Sequence, residues 1–65
     1  MNRYRTIYAV EAVTEDGQLR VRRFARNRRA AEKIAKQLKP QHRYVHINYI
    51  PRDCRYLINP EWVEG

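Results

Sequence analysis

The chain has 65 residues, which is enough for one domain with one hydrophobic core and too few for the pocket of most enzymes. It carries 14 Lys and Arg against 7 Asp and Glu, giving a formal net charge of +7. Its sequence pI near 10.2 is typical of domains that bind nucleic acid or another anionic surface. We expect a single small basic α+β domain over residues 1–65, with 59–65 as a C-terminal tail.

The cysteine content and the absence of long apolar runs narrow the class of protein further. The single cysteine, Cys54, excludes an intramolecular disulfide, and domains this small are often stabilised by self-association instead. A homodimer is therefore one hypothesis. The N-terminus contains no apolar leader and no run of about 18 apolar residues occurs, so we expect a cytoplasmic protein without a membrane segment.

The first half of the chain predicts a β-hairpin. Tyr4 to Val13 and Leu19 to Ala25 are rich in β-branched and aromatic residues, and Asp16-Gly17 between them is a strong turn signal. A two-residue turn would place Glu11 opposite Arg22 and separate a mostly apolar face from a polar one. A three-residue turn with a glycine bulge would shift this register by one residue. We favour the two-residue turn.

A helix is predicted from Arg28 to Lys39, with Asn27 as its N-cap and Pro40 just beyond it. Four residues spaced for one narrow apolar stripe are Ala31, Ile34, Ala35 and Leu38. The opposite face carries cations, including Arg29, Lys33 and Lys36. Arg28 and Arg29 oppose the positive end of the helix dipole, which suggests that they serve to bind an anion rather than to stabilise the helix.

The alternation in His42 to Ile50 predicts a third strand, with Val45, Ile47 and Tyr49 on one side. Cys54 to Ile58 is either a short fourth strand or an edge segment, and Trp62 should pack on the domain or on a partner. The fold is therefore predicted to be ββαβ. A right-handed crossover gives an antiparallel sheet of order 2-1-3, with the helix packed on one face.

The other sheet face is then left uncovered, and near it lies the most basic part of the chain. Residues Arg20 to Lys39, the basic segment, hold 9 of the 14 Lys and Arg residues and one acidic residue, Glu32. We expect them to form one cationic ridge that contacts the phosphate backbone of DNA or RNA with little base-specific reading. The phosphate-contacting candidates are Arg20, Arg22, Arg26, Arg28, Arg29, Lys33 and Lys36.

Three alternatives stay open at this level. Phe24 and Tyr44 could stack on unpaired bases, or they could form a second small hydrophobic layer covered by the C-terminal tail or a dimer mate. The same cations could engage an acidic groove on a protein, with tyrosines as anchors. They could also be a solvated surface that only keeps the protein soluble.

Catalytic and metal chemistry find little support in the sequence. His42 and His46 would lie about 13 Å apart along one strand, too far to share a zinc ion. Cys54 lacks an orienting group and an oxyanion site around it. We therefore predict a non-enzymatic binding module without metal or cofactor.

Three segments carry a resemblance: YAVEAVTEDGQLRVRRF, NRRAAEKIAKQL and HRYVHINYIP, followed by a tryptophan near the end. Their order resembles small single-domain proteins encoded by phages and mobile elements, among them several anti-CRISPR proteins. That resemblance implies a stoichiometric inhibitor that occupies a site on a host complex. The RFARNRRAAEKIA stretch also looks like the arm-DNA-binding domain of tyrosine recombinases, although only two predicted strands precede the helix here.

Overall fold

A computed structural model describes residues 7–64, apart from the side chain of Arg55. The elements run β1 (Tyr8–Val13), β2 (Leu19–Ala25), α1 (Arg28–Leu38), β3 (Tyr44–Tyr49) and β4 (Val63–Glu64). The four strands form one sheet of order β3-β1-β2-β4. The predicted α+β class, the ββαβ order and the 2-1-3 arrangement are therefore confirmed, with a fourth strand added beside β2. The part of the first predicted strand that precedes residue 7 lies outside the described residues.

The hairpin keeps the predicted register through most of its length but reaches it by another route. Tyr8 pairs with Ala25 and Glu11 with Arg22, as predicted. The turn itself has three residues, because the Thr14 N–H donates to the Gln18 carbonyl and Gly17 adopts φ +89. The predicted two-residue turn was wrong. Next to this turn, Val13 pairs with Leu19 instead of the predicted Arg20. A second irregularity, between Ala12 and Val13, then restores the predicted register, and Ala12 pairs with Val21.

The helix forms where the sequence places it. The Asn27 side-chain oxygen accepts a hydrogen bond from the Ala30 N–H at 2.8 Å, and Lys39 is the C-cap. All four residues of the predicted stripe are buried against the sheet, where they meet Val10, Ala12 and Ala25. The two alanines of the stripe let the helix approach the sheet closely.

The C-terminal region corrects one prediction. Cys54 to Ile58 does not form a strand, because Arg52–Leu57 is a 3₁₀ helix. The fourth strand comes later, after a second 3₁₀ turn at Pro60–Trp62, and it runs parallel to β2. The predicted tail 59–65 therefore contributes an edge strand to the sheet. The indole of Trp62 stacks on Phe24, with ring centroids 6.0 Å apart.

Candidate nucleic-acid interface

The outer helix face, defined by Arg29, Lys33 and Lys36, lies opposite the buried stripe. At about 100° per residue, these three side chains fall within roughly 60° of one another around the helix. All three are exposed. Within residues 7–64, no carboxylate forms an ion pair with any of them. The face is therefore a short line of uncompensated positive charge, about 10 Å long at 1.5 Å per residue.

The flank of α1 that carries Arg28 and Glu32 is less cationic than the outer helix face. The Arg28 guanidinium lies 3.4 Å from the Glu32 carboxylate one turn along, and both side chains are more than 60% exposed. An exposed pair of this kind contributes little to stability and leaves Arg28 available to another anion. The first turn of α1 itself contains no acidic residue. The positive charges of Arg28 and Arg29 therefore add to the positive end of the helix dipole.

The open sheet face, on the side away from α1, carries a polar row centred on Glu11. Arg22 Nε donates to this carboxylate at 2.7 Å, and Asn48 Nδ2 donates to its other oxygen at 2.7 Å. The Glu11 side chain is only 19% exposed, so the row is a partly sheltered network across three strands. Arg22 is thus already engaged by a carboxylate, unlike the cations of the outer helix face.

The two aromatic candidates occupy different surroundings on this face. Phe24 is partly buried and is stacked by Trp62, which matches the alternative of a second hydrophobic layer covered by the C-terminal tail. Tyr44 lies at the other end of the face, and the Arg43 guanidinium lies 5.7 Å from its ring centroid. The structure therefore does not bring Phe24 and Tyr44 together as one stacking platform.

The basic segment is divided by the sheet rather than gathered into one ridge. Arg22 is flanked by Val21 and Arg23, which face the helix, so its own side chain points to the opposite side. Arg20 is the extra residue of the β2 irregularity and is exposed. Arg26 lies between β2 and α1, where its N–H donates to the Glu64 carbonyl. The predicted continuous ridge is therefore replaced by an outer helix face and separate cations elsewhere.

Sequence reasoning missed a cluster formed by Arg23, Glu64 and Gln37. Arg23 Nε donates to the Glu64 carboxylate at 2.7 Å, a second guanidinium nitrogen contacts its other oxygen, and Nη1 donates to the Gln37 side chain at 3.0 Å. The hydrogen bond from Arg23 lowers the pKa of Glu64 below its ordinary value and raises that of Arg23. The cluster fastens β4 to β2 and to the helix, and because its two charges are 41 positions apart in the sequence, they gave no local signal.

Neither a metal site nor a membrane span emerges from the part of the chain that the structure describes. Residues 7–64 contain no group of three His, Cys, Asp or Glu side chains that could hold a metal ion, and none of their helices is long and apolar enough to cross a membrane. No protein-family model, curated protein or solved structure matches the chain.

Proposed function

We propose that this protein is a non-enzymatic module that binds the phosphate backbone of nucleic acid through the outer helix face. The observation that carries the proposal is the line of Arg29, Lys33 and Lys36, three exposed cations with no ion-paired carboxylate among residues 7–64. Such a line would release condensed counterions on meeting phosphates. Arg28, at the same end of the helix as Arg29, would add a guanidinium able to grip a phosphate with two hydrogen bonds.

The other candidate residues are less available to a phosphate or a base. The charge of Arg22 is already offset by Glu11, which accepts from its Nε, so Arg22 should attract a phosphate less strongly than the cations of the outer helix face. Phe24 would have to lose its stacking partner Trp62 before a base could take that place. Backbone contact without base readout is therefore the mode that the surface favours, and it suits a cytoplasmic partner such as DNA or RNA.

The test is a titration of labelled duplex and single-stranded DNA and RNA with two triple variants. In the first, Arg29, Lys33 and Lys36 are each replaced by Gln. In the matched control, three exposed arginines away from the helix are replaced by Gln: Arg20, Arg43 and Arg52. Both variants lose three charges, so a purely non-specific attraction would weaken equally. The proposal expects binding to be lost in the first variant and largely kept in the control, and equal loss would contradict it.

A second candidate function follows from a different surface. The C-terminal segment exposes Tyr56 (82%), Leu57 (66%) and Trp62 (54%), three large apolar side chains close together in the sequence. Exposed aromatic residues beside cations suit a protein interface, in which the tyrosines anchor and the cations meet an acidic groove. This would be the anti-CRISPR-type inhibitor that the resemblance implies, acting by docking on a host complex.

Partner capture distinguishes the two candidate functions. Capture of partners from the source cell, with and without nuclease, distinguishes a protein that binds directly from one bridged by nucleic acid. Replacing Tyr56 and Leu57 by Ala should abolish nuclease-resistant capture and leave nucleic-acid binding unchanged, because both side chains are exposed and neither lies on the outer helix face. Unchanged capture by this double variant would remove the support for the second candidate.

A further inference from the structure

The two outer edges of the sheet differ in how they are protected. The outer side of β2 carries Arg20, Arg22 and Arg23 along its length, contains an irregularity in its pairing, and is covered at its end by β4. Charges, irregular pairing and a covering segment are the devices by which proteins prevent their sheet edges from pairing with other chains. The β2 edge uses all three.

Among residues 7–64, the β3 edge shows none of the three. Tyr44–Tyr49 contains no Lys, Arg, Asp, Glu or Pro, and it is the outermost strand on its side of the sheet. The Ile50 N–H donates to the Ile7 carbonyl on the β1 side, so the alternation of an antiparallel pair turns the backbone polar groups of Val45 and Ile47 outward. Within the described part of the chain these outward groups meet no further strand.

The hydrophobic core is also incomplete along this edge. Val10 and Ala12 on β1 are completely buried, whereas their β3 neighbours Ile47 and Val45 are only partly buried, although they pack against the same core. Tyr49, which meets Tyr8 edge to face, is 54% exposed. A strand added beside β3 would satisfy outward backbone groups and cover apolar side chains at the same time.

We propose that β3 pairs with β3 of a second copy of this chain, in antiparallel orientation, to form a continuous eight-stranded sheet. A two-fold axis perpendicular to the sheet makes this contact self-complementary, and an uncharged strand places no like charges opposite each other. Small domains without disulfides commonly gain stability in this way. The inference does not depend on nucleic-acid binding.

The helices leave room for the pairing. Helix α1 contacts β1, β2 and β3, so its axis lies over the central strand β1. In the dimer, the two β1 strands would be three strand spacings apart, about 14 Å, whereas packed helices need only about 8–10 Å. The facing helix flanks carry Arg28, Glu32 and Lys39, a net charge of +1 each. Because each flank carries charges of both signs, only this small net charge opposes the contact, and salt screens it.

The test is sedimentation of the wild-type chain over a wide concentration range at several salt concentrations. Mass should rise toward that of a dimer, and added salt should strengthen the association because it screens two molecules of charge +7. The variant His46→Lys adds a charge to an exposed position of β3 and should weaken dimerisation by about tenfold or more. Gln18→Lys, an equal change in charge at the exposed hairpin turn, should not.

Amide hydrogen exchange locates the contact without any substitution. The N–H groups of Val45 and Ile47 should become protected as concentration rises, while those of the hairpin turn should not change. A chain that stays monomeric at every concentration, or a dimer in which these two amides exchange as fast as in the monomer, would overturn the proposal. Either result would leave the nucleic-acid proposal intact, since its test reads the outer helix face.

Discussion

The salt dependence of nucleic-acid binding gives the sharpest test of the outer helix face. Each phosphate neutralised on B-DNA contributes about −0.9 to the slope of log K against log salt, so the three contacts of the outer helix face by themselves, without Arg28, predict a slope of about −2.7. A fourfold rise in salt should then weaken duplex binding about 40-fold. On a single strand the corresponding slope is about −2.1, and the same rise should cost about 18-fold.

A single substitution should remove one contact from this slope. Lys33→Gln takes away a cation with no ion pair to release among residues 7–64, so the slope on duplex DNA should fall to about −1.8 and the fourfold salt effect to about 12-fold. Arg20→Gln, an equal loss of charge on β2, should leave the slope unchanged. Fluorescence anisotropy of a labelled duplex across a salt series measures both values.

The opposite pattern would refute the assignment. If Arg20→Gln or Arg22→Gln lowers the slope and Lys33→Gln does not, phosphates contact β2 instead of the helix. If all single variants lower it slightly and equally, the interaction depends on overall charge and the outer helix face has no special part in it.

Three further outcomes are expected from the remaining features. Asn27→Ala should destabilise the fold by about 1 kcal/mol in thermal denaturation, because it removes the cap on Ala30, and Asn27→Asp should not. Glu64, whose pKa is lowered by Arg23, should stabilise the fold fully above the ordinary carboxyl pKa of 4.5 and lose that effect as pH falls through the lowered value. In Glu64→Gln, melting curves should lose this acid-side dependence. Trp62→Ala should cost about 1 kcal/mol, from the lost ring stacking on Phe24.

Local patterns were sufficient for the elements that depend on local physics. The Asn27 cap, the helix limits and the buried stripe all follow from spacing within one helix, and they were predicted to within one residue. The strand order followed from the right-handed crossover. The turn was mispredicted because two irregularities, at Gly17 and at Arg20, cancel and leave the register of Tyr8 to Ala12 unchanged.

Features that depend on residues far apart in the sequence could not be predicted from local patterns. Cys54 to Ile58 was predicted as either a short fourth strand or an edge segment, yet Arg52–Leu57 forms a 3₁₀ helix. The two residues of β4 are too few to show any alternation. The basic segment is contiguous in sequence, but strand alternation turns Arg22 away from the face that α1 covers. Sequence clustering of charge therefore overestimated how many cations lie on one face of the protein.

The two proposals predict opposite responses to salt and can strengthen each other through a common ligand. Salt weakens phosphate binding by competing for the cations, and it favours dimerisation by screening the charge of +7 on each copy. In the proposed dimer, both helices lie on the same side of the eight-stranded sheet, so one polyanion could contact both outer helix faces. The phosphates of that polyanion would then screen the repulsion between the two positively charged copies, as salt does in its absence. Nucleic acid should accordingly strengthen dimerisation most at low salt, and His46→Lys should reduce the affinity for long strands more than for strands that reach only one helix.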